Sequence, residues 1–308
     1  MDRDPGGERV LVTGAAGFLG TALCRALVDR GAEVHAVSRR AEPGARGGVV
    51  WWRRDLTDQA ASKALLTELR PTVVFHLAGL AAGARRLDLV APTLAANLVT
   101  TVHLLGAAVE AGCGRIVLAG SLEEPDAAEP AAVPSSPYAA SKWAASAYGR
   151  MFHALFDAPV VIARIFMAYG PGPQDERKLL PYVVRALLRG EAPRLTAGDR
   201  LVDWVYVDDV AEGLVRLGWA GGIDGETIDL GTGEPVTIRR FVERLAELSG
   251  SPARPQFGAL PDRPLEQVRA AAADRTLARI GWRATTPLDE GLRRTLDWYA
   301  HREMEAAR

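Results

Sequence analysis

Cysteine is scarce in this chain of 308 residues: there are two, Cys24 and Cys113. Two isolated thiols make neither a disulfide framework nor a metal cluster, and they suit a reducing cytoplasm. Net charge is nearly absent as well, at −1. That balance gives no support for a nucleic-acid partner or an anionic membrane surface. No run reads as long and apolar enough to span a bilayer, so no membrane is expected. The polar opening stretch, Met1 to Arg9, has no apolar signal core. No internal repeat is visible. Apolar residues make up 48% of the chain, enough to bury one large core or two unequal lobes.

What is present is concentrated near the start. Arg9 to Thr13 is a short apolar run that reads as a buried strand. Gly14, Gly17 and Gly20 follow, and residues 18–30 read as an amphipathic helix. A strand, a glycine turn and a helix in that order fit a nucleotide pyrophosphate. Glycine lets the backbone turn tightly and approach the phosphates, and the helix N-terminus offers free N–H groups.

Strand-like and helix-like runs then alternate as far as Arg164, which implies an α/β, doubly wound parallel sheet. Strands are expected at 33–38, 48–52, 72–78, 114–120 and 158–164. Helices are expected at 59–69, 92–110 and 137–156. The mixed pattern beyond implies a smaller α/β lobe. The expected division is residues 1–168, with 203–230 returning to them, against a lobe of 169–202 and 231–308.

The second strand ends in Ser38-Arg39-Arg40 with no acidic residue. A carboxylate there would suit the ribose hydroxyls of NAD; serine and arginine suit the extra phosphate of NADP. NADP(H) is therefore the expected cofactor, with NAD(H) second. Asp55 reads either as a contact to the adenine amino group or, with Thr57, as a helix cap. Gly79 allows close backbone approach. His76 reads as a hydrogen-bonded structural histidine, and Asn97 as a structural amide or a group that positions cofactor and water.

Tyr138 and Lys142 are spaced i, i+4, on one helix face, and Ser121 ends a strand. Hydride transfer to a carbonyl needs an acid for the developing alkoxide. A free tyrosine, with a pKa of about 10, exchanges its proton poorly at neutral pH. A lysine one turn away is expected to lower that value and to hold the nicotinamide ribose, while the serine hydroxyl polarises the substrate oxygen.

With these residues in place, the chain resembles the extended short-chain dehydrogenase/reductase family over nearly its full length, in particular its nucleotide-sugar epimerase/dehydratase branch. The motifs are Thr13-Gly-Ala-Ala-Gly-Phe-Leu-Gly20, His76-Leu-Ala-Gly79, Ser121, Tyr138-Ala-Ala-Ser-Lys142, Arg164-Ile-Phe-Met-Ala-Tyr-Gly-Pro171 and Asp203-Trp-Val-Tyr-Val-Asp-Asp209. The resemblance implies a nicotinamide cofactor against Gly14, Gly17, Phe18, Leu19, Gly20, Ser38, Arg39, Asp55, Leu56, Leu77, Ala78, Gly79 and Asn97, with Tyr138 and Lys142. It implies a nucleotide sugar in the second lobe, near Met167, Lys178, Arg200 and Arg263, and a homodimer built on helices 92–110 and 137–156.

Departures from the family pattern narrow the activity. The dehydratases carry an Asp-Glu pair after the residue like Ser121; here Leu122-Glu123 stands, so only Glu123 remains as a base. Met167 replaces a usual asparagine, Val202 a usual arginine and Pro125 a usual tyrosine; Arg200 and Arg263 are the candidates to restore the lost charge. The expected activity is an NADPH-dependent 4-ketoreductase of a nucleotide-linked 4-keto-6-deoxyhexose, in deoxysugar biosynthesis. An NAD-retaining 4-epimerase and a non-enzymatic NADP-binding regulator are the alternatives.

Overall fold

The computed structural model describes residues 5–39, 44–126 and 132–306; Arg40 lies outside them. An eight-stranded sheet forms the centre. Its strands are β1 (Arg9–Thr13), β2 (Glu33–Ser38), β3 (Gly44–Arg46), β4 (Val49–Arg53), β5 (Val73–His76), β6 (Arg115–Ser121), β7 (Val160–Ile165) and β11 (Thr227–Leu230). They lie in the order β11-β7-β6-β5-β1-β2-β4-β3, all parallel except β3. The doubly wound expectation holds, and residues 227–230 join the sheet at its edge.

Side-chain alternation explains why both faces are covered. Val10, Val12, Phe75, Val117 and Val161 pack into one buried cluster. Leu11, Val74, Ile116 and Ile162 pack into another on the opposite face. Strands apolar on both faces belong in a parallel sheet sandwiched by helices. These are α1 (Phe18–Val28), α2 (Gln59–Leu69), α4 (Thr100–Glu110), α5 (Pro137–Phe156) and α7 (Val207–Trp219). Local chemistry sets their starts. Asp58 caps α2 by accepting from the N–H groups of Ala60 and Ala61, so neither Asp55 nor Thr57 is the cap. Ser136 caps α5, with Pro137 at its first turn.

Two elements depart from the sequence expectation. Gly47 and Gly48 both take positive φ, 57° and 76°. They close a two-residue hairpin that adds β3 antiparallel to β4; such turns demand φ > 0 twice, which two glycines supply. The helix expected from residue 92 begins earlier. A 3₁₀ turn (Leu87–Leu89), α3 (Val90–Thr93) and a π-helical stretch (Leu94–Val99) run straight into α4. The resulting 24-residue helix, Leu87–Glu110, is long and apolar enough by length and composition to cross a membrane, contrary to the sequence reading. Its Thr93, Asn97, Thr100 and Thr101 are buried against the protein.

The C-terminal part carries a third cluster built on Tyr169, Val183, Leu187, Trp204, Phe241, Leu245 and Leu292. It gathers α6 (Leu179–Leu188), α8 (Ile238–Ser249) and α10 (Leu288–Ala306); α9 (Ala273–Ile280) packs on β11 instead, with Ile280 in the first cluster. Two short pairs complete it: β8 (Met167–Tyr169) with β10 (Trp204–Tyr206), parallel, and β9 (Leu201–Val202) with β12 (Val236–Thr237), antiparallel. Buried carboxylates tie it down. Asp203 accepts from the Thr232 N–H and hydroxyl and from the N–H groups of Gly233 and Ala271. Asp209 accepts from Thr285 and Thr286, and Asp229 from Ala272.

Candidate active site

The turn between β1 and α1 is closed to a side chain at Gly14 and at Gly20. Gly14 has φ 70°, and a Cβ there would lie 2.7 Å from the backbone nitrogen of Ala78. A Cβ on Gly20 would lie 2.2 Å from the Gly14 carbonyl oxygen. Gly17, the N-cap residue, provides no side-chain cap to α1. The first-turn N–H groups at Phe18 and Leu19 therefore face outward, as an anion-binding helix terminus requires. This cradle fits a dinucleotide pyrophosphate.

The neighbouring strand end is locked to it. Leu77 donates its N–H to the Thr13 carbonyl, and Ala78 to the Thr13 hydroxyl at 3.0 Å. His76 is buried between Thr13 (2.7 Å) and Thr101 (3.0 Å). Burial, with the Lys142 charge nearby, drives its pKa down to about 3, so it is neutral. It is the structural histidine expected. Asn97, on the π-helical stretch, accepts from the N–H of Leu80 at 2.6 Å and donates to the Ser141 hydroxyl at 2.8 Å. A Cβ on Gly79 would meet the Asn97 amide oxygen at 2.7 Å, so Gly79 is needed there.

At the other end of the cradle, Ser38 pairs in register with Arg53. Arg39 is exposed, and its charge acts on Asp55, whose carboxylate also accepts from Thr57 and sits below its usual range through those hydrogen bonds. Leu56 is buried beneath. The sequence thus delivers Ser38, Arg39, Arg53 and Asp55 to one edge.

Ser121 ends β6, and Tyr138 and Lys142 come from the first turns of α5. Tyr138 and Ser121 are joined by a side-chain hydrogen bond. The expected lowering of the tyrosine by lysine is not seen. Burial pushes the Tyr138 phenol up, and the Ser121 hydrogen bond opposes this only in part. The Lys142 ammonium instead donates to the Ala119 carbonyl at 2.9 Å. A half-buried, protonated phenol bonded to a serine hydroxyl can donate a proton to an oxyanion bound between them.

Across from this group, Glu123 meets Arg200 and Arg263 in a small recess with Gly83, Arg85, Ser135, Glu266 and Gln267. Desolvation pushes the Glu123 carboxyl up, while the charges of Arg200, Arg263 and Lys178 pull it down. Arg200 is paired with Glu266 at 3.4 Å. Met167 lies deeper, half-buried, its N–H bonded to the Asp203 carbonyl. The structure therefore gathers Glu123, Lys178, Arg200 and Arg263, and sets Met167 apart in the packing between lobes.

Sequence reasoning missed Thr13, Ser141, Glu124 and Glu266. Ser141 and Thr13 sit inside the quoted motifs, so their place beside the site was visible. Glu266 reaches Arg200 through a fold-back that no local pattern signals. The free, buried Cys24 and Cys113 lie in the core, both pushed up to about 12 by burial. No metal-binding group of His, Cys, Asp and Glu exists among the described residues.

Comparison with known proteins agrees with this arrangement. The chain is 33% identical over 315 residues to the UDP-glucose 4-epimerase of Mycolicibacterium smegmatis, covering 96% of this chain and 99% of that one. It is 29% identical to a probable dTDP-glucose 4,6-dehydratase of Sinorhizobium fredii, covering 94% and 92%. Among solved structures, MoeE5 in complex with UDP-glucose and NAD is 31% identical with a TM-score of 0.83, covering 96% of this chain and 99% of that one. The UDP-glucose 4-epimerase of Thermotoga maritima shares the fold at a TM-score of 0.86 and 24% identity, covering 96% and 99%. Residues 10–231 match the model of the NAD dependent epimerase/dehydratase family, and the chain belongs to that family.

Proposed function

We propose that the protein is an NADPH-dependent reductase acting at C4 of a nucleotide-linked 4-keto-6-deoxyhexose. The observation that carries this is the Tyr138–Ser121 hydrogen bond, with the phenol held protonated by burial. Reduction calls first for a proton donor, and this is one. When bound, the nicotinamide supplies the hydride. Ser121 orients the carbonyl oxygen, and Tyr138 delivers the proton to it as the alkoxide forms. Lys142 holds the ribose and, once turned from Ala119, steadies the phenolate left behind.

Ser38, Arg39 and the register partner Arg53 favour the additional phosphate of NADP over a bare ribose. Leu122 in place of an aspartate argues against water elimination. Arg200, Arg263 and Lys178 supply positive charge for a diphosphate. Val90 and Leu94 on one helix and Tyr148, Leu155 and Phe156 on α5 are exposed apolar side chains that support a homodimer built on these two helices. The free thiols suit the cytoplasm.

A second reading, a 4-epimerase with retained NAD, is favoured by the Mycolicibacterium smegmatis relative and by MoeE5 with its NAD. The two separate in one assay. Net NADPH oxidation with a 4-keto sugar nucleotide is expected. Interconversion of two sugars without net redox change, with NAD co-purifying, would replace the first reading by the second.

A further inference from the structure

A carboxylate lies behind the reacting groups that the reduction itself does not use. Glu124 is 4% exposed. Its Oε1 accepts the backbone N–H of Ser121 at 2.7 Å, and the Ser146 hydroxyl donates to the same carboxylate. Ser146 follows Tyr138 by eight residues and Lys142 by four, so one face of α5 presents all three in a row. A Cβ on Gly120 would lie 2.9 Å from Oε1; the glycine leaves room for the carboxylate.

The charges around it come from three segments. Lys142 faces Glu124 from α5 and Arg164 from β7. Arg269, from the segment before α9, donates to the Glu124 carbonyl at 3.3 Å. On β5, His76 also borders Lys142 but is neutral. Desolvation works against the ammonium of Lys142, and the opposing charge is that of Glu124. A glutamine would satisfy Ser121 and Ser146 equally well through its amide oxygen. What glutamate adds is the charge: desolvation pushes its carboxyl up, and the Ser121 N–H, Ser146, Lys142 and Arg164 pull it back, as a buried charge is kept only where partners repay its desolvation.

We propose that Glu124 is a positioning residue for the reaction centre: one buried carboxylate anchors the Ser121 backbone and keeps the Lys142 ammonium charged. This rests on the reading of Ser121, Tyr138 and Lys142 above. The chain has three lysines, Lys63, Lys142 and Lys178, so lysine-labelled protein gives three Cε resonances whose titration NMR can follow. In E124Q the Lys142 titration is expected to move down by about one pH unit. The high-pH limit of turnover should move the same way, with kcat down about tenfold and KM for NADPH within about twofold. E124D, which retains the charge, should restore the wild-type titration. Should E124Q not fold, E124M offers an apolar replacement with the same expected shift. An unchanged Lys142 titration in either folded neutral variant overturns the proposal. Because that titration needs no substrate, a wild-type enzyme inert toward keto sugars would refute the proposed activity and leave the Glu124 result readable.

Discussion

The two walls of the site are made of different material. The dinucleotide side is built from backbone: a positive-φ glycine, an uncapped helix start, and strand ends locked by Thr13. The wall proposed for the sugar is built from long charged side chains, Glu123, Arg200, Arg263 and Glu266, brought together from three separate stretches. The first kind of wall tolerates almost no change of residue. The second can exchange residues, and with them substrates, while the fold stands. Such a division would let one cradle serve different substrates.

The largest break in the comparison should come where the walls meet. Tyr138→Phe is expected to lower kcat by on the order of 10³-fold while calorimetry finds NADPH binding intact. Surviving turnover would remove Tyr138 from its role. On the backbone wall, Gly20→Ala forces a Cβ against the Gly14 carbonyl. It should cost about 1–3 kcal/mol of stability and abolish dinucleotide binding, read by denaturation and fluorescence titration. An alanine variant with normal affinity would show the turn to be more yielding than its geometry.

His76 tests the same wall through pH. Its folded pKa of about 3 lies below the about 6.5 of an unfolded histidine. Its contribution is complete above pH 6.5 and is lost as pH falls toward 3. By pH 5 the loss should reach about 2 kcal/mol, visible as a denaturation midpoint that drops with acid in the wild type and less in His76→Gln. At the outer edge, Arg39→Ala should weaken NADPH about tenfold, about 1.4 kcal/mol, and leave NADH unaffected. Equal loss for both would end the phosphate assignment. The smallest effect belongs to the side-chain wall. Glu266→Gln frees Arg200 from a half-buried ion pair that does not span the reacting groups, and should change substrate KM by only about two- to threefold.

The same division decided what could be read from the chain. Strand alternation at Val10, Leu11 and Val12, the glycine spacing and the i, i+4 placement of Tyr138 and Lys142 are local, and local periodicity survives folding. The hairpin at Gly47-Gly48 is equally local, although Gly48 by itself reads as the first residue of a strand. The early start of the Leu87–Glu110 helix depended on a π-helical stretch held by Asn97 contacts across 17 and 44 residues. The direction of the Tyr138 shift depended on burial and on where Lys142 turned, which spacing alone does not fix. The Arg200–Glu266 pair closes a loop of 66 residues, beyond any sequence window.

Asp203 carries a consequence for how the chain is made. It is 1% exposed, and its hydrogen-bond donors lie 29, 30 and 68 residues downstream. During synthesis the carboxylate leaves the ribosome well before Ala271 does. Until then the Asp203 carboxylate must be satisfied by water. A chain cut after Gly231, where the family match ends, would have to bury this charge unaided, at a cost of about 3–5 kcal/mol. The last quarter of the sequence thus acts as a latch that permits the preceding part to close.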